Sequence, residues 1–254
     1  MCSEICIIVS MKKILGSMRR AAERFHMIEN GDRIAIGVSG GKDSMLLLYA
    51  MWLYKQYMKV DYEIIGITVD LGFGNFDTEP LRRFIEGLGV RYLVEKTQIG
   101  EVVFDIRKEK NPCALCSKMR KGAFYEAAKR EGMNKAAFAH HRDDLFETLL
   151  LGLFYEGKMN VFSPVTYMSR RDITLIRPFI LAEECDISGA VKRLALPVVK
   201  NPCPADGVTK RTEMRELLDS MIKTNPRAKE SLMAAISNVD HYNLWDKGPW
   251  LEKK

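Results

Sequence analysis

An α/β fold built on a parallel sheet, with helical segments at both ends, is the architecture this sequence predicts. Three observations carry the prediction. Short apolar runs alternate with longer helix-like stretches from residue 31 to about 180. Ile34 to Val38, "IAIGV", is an apolar run that ends in a glycine turn, as a buried parallel strand does. The chain of 254 residues, 47% hydrophobic and 28% charged, has the size and balance of one large globular domain with a small appendage.

Residues 1–30 read as a helical lead-in. "MKKILGSMRRAAERFHMIEN" carries apolar residues at helical spacing with basic ones between them, and Asn30-Gly31 is the expected helix stop. Residues 31–200 read as the main domain. Strands are expected at 34–38, at "EIIGITVD", at "VRYLVEK", at "KAAFAHHRDD" and at "ITLIRPFI". Helices are expected over Met45 to Met58, over "LRRFIEGLG" after Pro80, and over "LFETLLLGLFYEG". "KNPCALCSKMRKGAFYEAAKREGM" reads as a loop that bears two cysteines and feeds a helix. The alternation implies five parallel strands covered on both faces. Residues 201–254 read as a C-terminal helical segment that opens with a Pro-Cys loop and closes on a loose tail, "DKGPWLEKK".

The net charge is +6, from 39 basic and 33 acidic residues, which suits a polyanionic partner such as RNA. No apolar stretch reaches the roughly 18 residues that span a bilayer. "CIIVSM" is too short for a signal h-region and follows Glu4, so a cytoplasmic protein without a membrane partner is expected. In such a chain, six cysteines point to metal binding or thiol chemistry rather than disulfides.

The stretch "SGGKDS", Ser39 to Ser44, joins the first strand to the first helix. A Gly-rich turn there presents backbone N–H groups at a positive helix end, which is a phosphate site. Gly40 and Gly41 permit close backbone approach, Lys42 adds a charge and Ser44 a hydroxyl. The spacing is not that of a Walker A loop. The plain alternative is an ordinary turn that needs glycine. In "HHRDD", His140, His141, Asp143 and Asp144 follow a predicted strand. Helix-dipole preference accounts for the aspartates but not for the histidine pair. In doubly wound sheets ligands sit at the carboxyl ends of strands. SGGKDS, Asp70 and HHRDD all fall there, so one crevice is expected to gather them.

Cys113 and Cys116 form a C-x-x-C that suits half a zinc site, a redox dithiol or part of an iron–sulfur site. No second pair completes a zinc set. The run K-N-P-C occurs at 110–113 and again at 200–203, and the two prolines suggest two rigid loops facing one site. Three thiolates from Cys113, Cys116 and Cys203 suit a [4Fe–4S] cluster with one iron left open. Cys185 is expected to pack as a small hydrophobe. Cys2 and Cys6 complete no ligand set, and His26 and His241 are expected to serve packing or the surface.

SGGKDS resembles the signature of the PP-loop, or N-type ATP pyrophosphatase, superfamily. "HHRDDLFETLL" resembles its GHHxDDxxET stretch, with Ala139 in place of the glycine. The order of PP-loop, C-x-x-C, HHRDD, "GKMNVFSPV", "IRPF" and a Pro-Cys loop resembles the tRNA 2-thiocytidine synthetase family, from about residue 12 to about 242. Asp206 stands where that family often has a last cysteine.

The resemblance implies ATP on Ser39, Gly40, Gly41, Lys42, Asp43, Ser44 and His140, with the adenine near the backbone of Val69 and Asp70. It implies catalytic roles for Lys42, Asp43, Asp143 and Asp144, Mg²⁺ on Asp43 and Asp143, and a [4Fe–4S] cluster on Cys113, Cys116 and Cys203. The implied reaction is adenylation of a tRNA cytidine at O2, followed by displacement of AMP by sulfur carried on the open iron or as a cysteine persulfide. Implied partners are the anticodon-loop region of tRNA, a sulfur donor such as a cysteine desulfurase, and a second copy of the chain. Lys12, Lys13, Arg19, Arg20, Lys118, Arg120, Lys121, Arg170 and Arg171 are candidates for an RNA track. Rival expectations are thiolation of a tRNA uridine or a small metabolite, and a non-catalytic iron–sulfur or nucleotide sensor. Lysidine synthesis is disfavoured because it needs no cysteine triad.

Overall fold

The computed structural model describes residues 4–108, 112–200, 202–203 and 210–238, with side chains from residue 11 onward. Cys2, the Cys6 side chain, Asp206, His241 and the tail lie outside the described residues. Contacts divide the chain into two compact units, Met1–Leu145 with Phe162–Val208, and Phe146–Val161 with Thr209–Lys254.

The first unit holds a six-stranded sheet, with strands β1 (Asp32–Gly37), β2 (Tyr62–Asp70), β3 (Arg91–Lys96), β4 (Lys135–Ala137), β5 (Val165–Met168) and β6 (Ile173–Ile176). The order is β3-β2-β1-β4-β6-β5. The first five strands in that order run parallel, and β5 closes the edge antiparallel to β6. The five expected strands are the parallel ones, and the antiparallel edge strand β5 is an addition to them. β5 has four residues, two of them exposed, so it carries no apolar run to announce it. Its turn into β6 rests on Asp172 at φ 49°.

Helices cover both faces. Ala35, Ile65, Ile67 and Ala136 pack with Phe124, Tyr125, Ala127 and Ala128 of α4 (Pro112–Arg130). On the other face, a Cβ at Gly66 would lie 3.0 Å from Leu48 of α2 (Lys42–Met58). α2 is buried without a break from Ser44 to Met51, as a helix enclosed on all sides must be. α1 (Glu4–Arg24) and α6 (Glu184–Leu194) pack with it, and α3 (Glu79–Gly87) lies against β3.

Several boundaries differ from expectation. α1 ends at Arg24, not at Asn30-Gly31. Gly31, at φ +84°, turns the chain into β1 and donates its N–H to the Asp61 carbonyl. α2 begins at Lys42, so the last half of SGGKDS is helical. β4 leaves the sheet after Ala137, where Phe138 turns its ring onto Gly37. α4 begins at Pro112, so the C-x-x-C lies in the first turns of the helix and not in a loop ahead of it. Proline is tolerated at that position because its missing N–H has no helical partner to lose.

The apolar helix expected over 145–157 is α5 (Arg142–Leu151) followed by a π-helical turn, Gly152–Glu156. A Cβ at Gly152 would meet the Lys158 carbonyl oxygen at 2.6 Å, so the chain folds back there as only glycine allows. In the second unit, α7 (Lys210–Thr224) packs Met214 and Leu218 on Phe146 and Leu150, and α8 (Ala228–Ser237) adds Leu232 and Met233. Arg215 of α7 donates to the buried Glu147 at 2.8 Å. Among the described residues no helix is long and apolar enough to cross a membrane.

Candidate active site

The loop after β1 is tied together by its own atoms. Ser44 Oγ donates to the Gly41 carbonyl at 2.9 Å and accepts from the Ser39 N–H at 3.1 Å. The Gly41 N–H reaches Ser39 Oγ at 3.3 Å. Gly40 has φ +84°, and a Cβ there would stand 2.9 Å from the Val199 carbonyl oxygen. The Gly40 carbonyl accepts from the Val199 N–H at 2.9 Å, so the chain beyond α6 braces the loop. Gly41 is the N-cap of α2 without a side-chain cap, which leaves the first-turn N–H groups for a ligand. Lys42 Nζ donates to Asp43 Oδ1 at 2.8 Å and to Glu184 Oε1 at 3.0 Å. Burial alone would lower the pKa of this ammonium, but the hydrogen bonds and charges of Asp43 and Glu184 outweigh it and hold the pKa above the usual lysine value.

HHRDD divides its labour. His141 is buried and caps α5, with Asp144 closing a reciprocal box. The Asp144 N–H donates to His141 Nδ1 at a long 3.4 Å, and the His141 N–H donates to Asp144 Oδ2 at 3.0 Å. Asp143 Oδ2 accepts from the Glu184 N–H at 2.8 Å and lies 3.7 Å from His141 Nδ1. His140 lies between the rings of Phe138 and Phe162, with centroids 6.1 and 5.1 Å away. Arg177 lies over the Phe162 ring, 4.9 Å from its centroid.

Cys113 is exposed, Cys116 buried and Cys203 half-buried, and among the described residues none of the three forms a disulfide. Cys116 packs with Leu71, Ile99 and Val103. That burial pushes its thiol pKa up, Arg120 pulls it back, and the charges of Cys203 and Cys113 push it further up. The three sulfurs therefore share one electrostatic neighbourhood. Among the described residues no group of three His, Cys, Asp or Glu side chains forms a ready-made site for a metal ion. A [4Fe–4S] cluster takes one cysteine per iron, so its sulfurs stand farther apart than those around a single ion. Cys113 and Cys116 lie three residues apart on α4, and Cys116 is near enough to Arg120 and Cys203 to feel both charges. Cys185 departs from expectation, since it is exposed on α6.

A cavity of about 230 Å³ opens at the carboxyl ends of β1 and β2 and beyond β4. Ser39, Asp43, Ser44, Val69 and His140 line it, joined by Arg120 and Lys121 of α4. Gly37, Phe124 and Phe138 form an apolar part of the wall. Lys42, Gly40, Gly41, Asp143 and Asp144 stand outside the lining, in the contacts given above. Asp70 is used locally: its carboxylate accepts from the Gly72 N–H at 3.0 Å and its carbonyl from Thr97 Oγ1 at 2.7 Å. Among the proposed RNA-track residues, Lys13 pairs with Asp186 and Arg171 with Glu126. Glu184 was not among the expected site residues. Its sole sequence signal, an acidic pair at the start of a helix, is also an ordinary helix start.

The sequence profile of the PP-loop domain matches residues 13–221. The tRNA-cytidine(32) 2-sulfurtransferase of Geobacter sulfurreducens is 34% identical over 241 residues, which cover 94% of each chain. The protein of the same name from Citrifermentans bemidjiense is 33% identical over 239 residues, 93% of this chain and 94% of that one. The U34-tRNA thiolase NcsA of Methanococcus maripaludis, solved with its [4Fe-4S] cluster, shares the fold at a TM-score of 0.74 and 22% identity, covering 92% of this chain and 81% of that one.

Proposed function

The chain belongs to the PP-loop domain family, and we propose that it is an ATP-dependent tRNA sulfurtransferase that converts cytidine 32 to 2-thiocytidine. The observation that carries this is the placement of α4. One helix presents Cys113 and Cys116 in its first turns and Arg120 and Lys121 to the cavity shared with the phosphate loop. Activation and sulfur delivery can thus meet at one point.

In this reading Ser39–Ser44 and the first-turn N–H groups of α2 bind the triphosphate, and Lys42 neutralises charge that grows on it during transfer. Asp43 and Asp143 are the hard oxygen donors that Mg²⁺ takes, and Asp144 orients their stretch as the α5 cap. Val69 and His140 flank the base or ribose of ATP. O2 of the target cytidine attacks the α-phosphate and pyrophosphate leaves, which turns a poor leaving oxygen into a good one. A sulfur nucleophile then displaces AMP at C2. Held by Cys113, Cys116 and Cys203, a [4Fe–4S] cluster supplies an iron open to sulfur. The target base must be splayed from its loop to reach the cavity. A cysteine desulfurase as sulfur source, a cytoplasmic setting and a homodimer complete the proposal.

The test is to incubate anaerobically reconstituted protein with ATP, Mg²⁺, sulfide and unmodified tRNA, then digest the RNA and weigh its nucleosides. 2-Thiocytidine is expected. Thiouridine would move the target to another base, and the absence of any thiolated nucleoside would overturn the proposal.

A further inference from the structure

We propose that Glu184 is a positioning residue, a counter-ion latch that holds the Lys42 ammonium beside the loop and yields it to the nucleotide's phosphates. The inference rests on the assignment of Ser39–Ser44 to ATP and goes beyond it.

Lys42 Nζ lies within hydrogen-bond distance of two carboxylates, Asp43 Oδ1 at 2.8 Å and Glu184 Oε1 at 3.0 Å. Adjacent residues on a helix do not face one another, so the Lys42 side chain is folded back to make this arrangement. The three side chains are only 25–33% exposed, so the pairing is partly shielded from water. The backbone entering Glu184 is anchored twice. The Glu184 N–H is bonded to Asp143, and the neighbouring Glu183 pairs with Arg142 at 2.9 Å. Beyond the far end of α6, Val199 is bonded to Gly40. The backbone that carries Glu184 is thus held near the site, so its carboxylate stays within reach of Lys42.

An ammonium shared by two carboxylates keeps one N–H for a phosphate, but the two negative charges beside it offset much of the charge it can offer. Glu184 is the one that competes from another element. Its charge therefore lowers nucleotide affinity through Lys42, and it sets where the ammonium rests before the nucleotide arrives.

The experiment is a double-mutant cycle on the full-length protein, with Kd measured for α,β-methylene-ATP, whose α–β bridge cannot be cleaved. Glu184→Gln keeps the size and one hydrogen bond but removes the charge. It is expected to tighten binding by about threefold to tenfold, the scale of a partly shielded ion pair. In a Lys42→Met background the same change is expected to shift Kd by less than about twofold, because no ammonium remains to be held. Unchanged or weaker binding by Glu184→Gln overturns the latch, provided the wild type binds. Undiminished tightening in the Lys42→Met background overturns it too, since that is bulk repulsion of the phosphates. A wild type that does not bind the analogue would instead sink the nucleotide assignment. Should Glu184→Gln fail to fold, Glu184→Asp, which keeps the charge but shortens the reach, is expected to tighten binding in the same direction, and no tightening would overturn the latch.

Discussion

The phosphate loop and the cysteine group are built in opposite ways. Ser39–Ser44 closes on itself: Ser44 alone contacts the N–H of Ser39 and the carbonyl of Gly41, and Gly41 reaches back to Ser39. Cys113, Cys116 and Cys203 come from two segments far apart in the chain, and their spacing depends on how α4 packs over Leu71, Ile99 and Val103. A local device keeps its shape through short-range hydrogen bonds. A distributed one keeps its shape through tertiary packing, and a single side chain removed from it removes a whole ligand. The two halves should therefore fail separately.

The largest effect is expected at the distributed half. Cys116→Ala should bring iron and sulfide in reconstituted protein down to background, while the affinity for α,β-methylene-ATP stays within about twofold of wild type. Stripping iron with a chelator should act alike. Loss of nucleotide binding in either case would break the comparison. Next comes Lys42→Met, which should slow pyrophosphate release by about 10²–10³, the scale of removing one group that stabilises transition-state charge, with iron content unchanged. Gly40→Ala should follow. Its φ of +84° and the 2.9 Å approach to the Val199 oxygen should cost about 1–3 kcal/mol in thermal or denaturant unfolding. Iron retention should stay near wild type, as the separation of the two halves requires. The smallest effect is at Asp144→Ala, where the lost capping box should cost about 1 kcal/mol of stability in denaturant unfolding.

The same contrast governs what could be read from sequence. β1, the loop and α2 were legible because an apolar run, two glycines and a second apolar run are neighbours in the chain. The K-N-P-C repeat marked Cys113, Cys116 and Cys203 as candidates by pattern, but proline before cysteine suggested a loop where α4 in fact begins. β5 went unread because its four residues alternate neither cleanly nor with enough apolar character. The His141–Asp144 box has legible spacing, yet the same residues also read as ligands. Glu184 was invisible, since its partner Lys42 lies 142 residues away and no local pattern announces the contact.

The most direct measurement is made on Cys203→Ala protein mixed with ATP, Mg²⁺, sulfide and tRNA, following pyrophosphate and 2-thiocytidine in the same tube. Separable halves predict that pyrophosphate is still released in a tRNA-dependent burst while no 2-thiocytidine forms. Loss of pyrophosphate release together with thiolation, or 2-thiocytidine formed at the wild-type rate, would contradict the account.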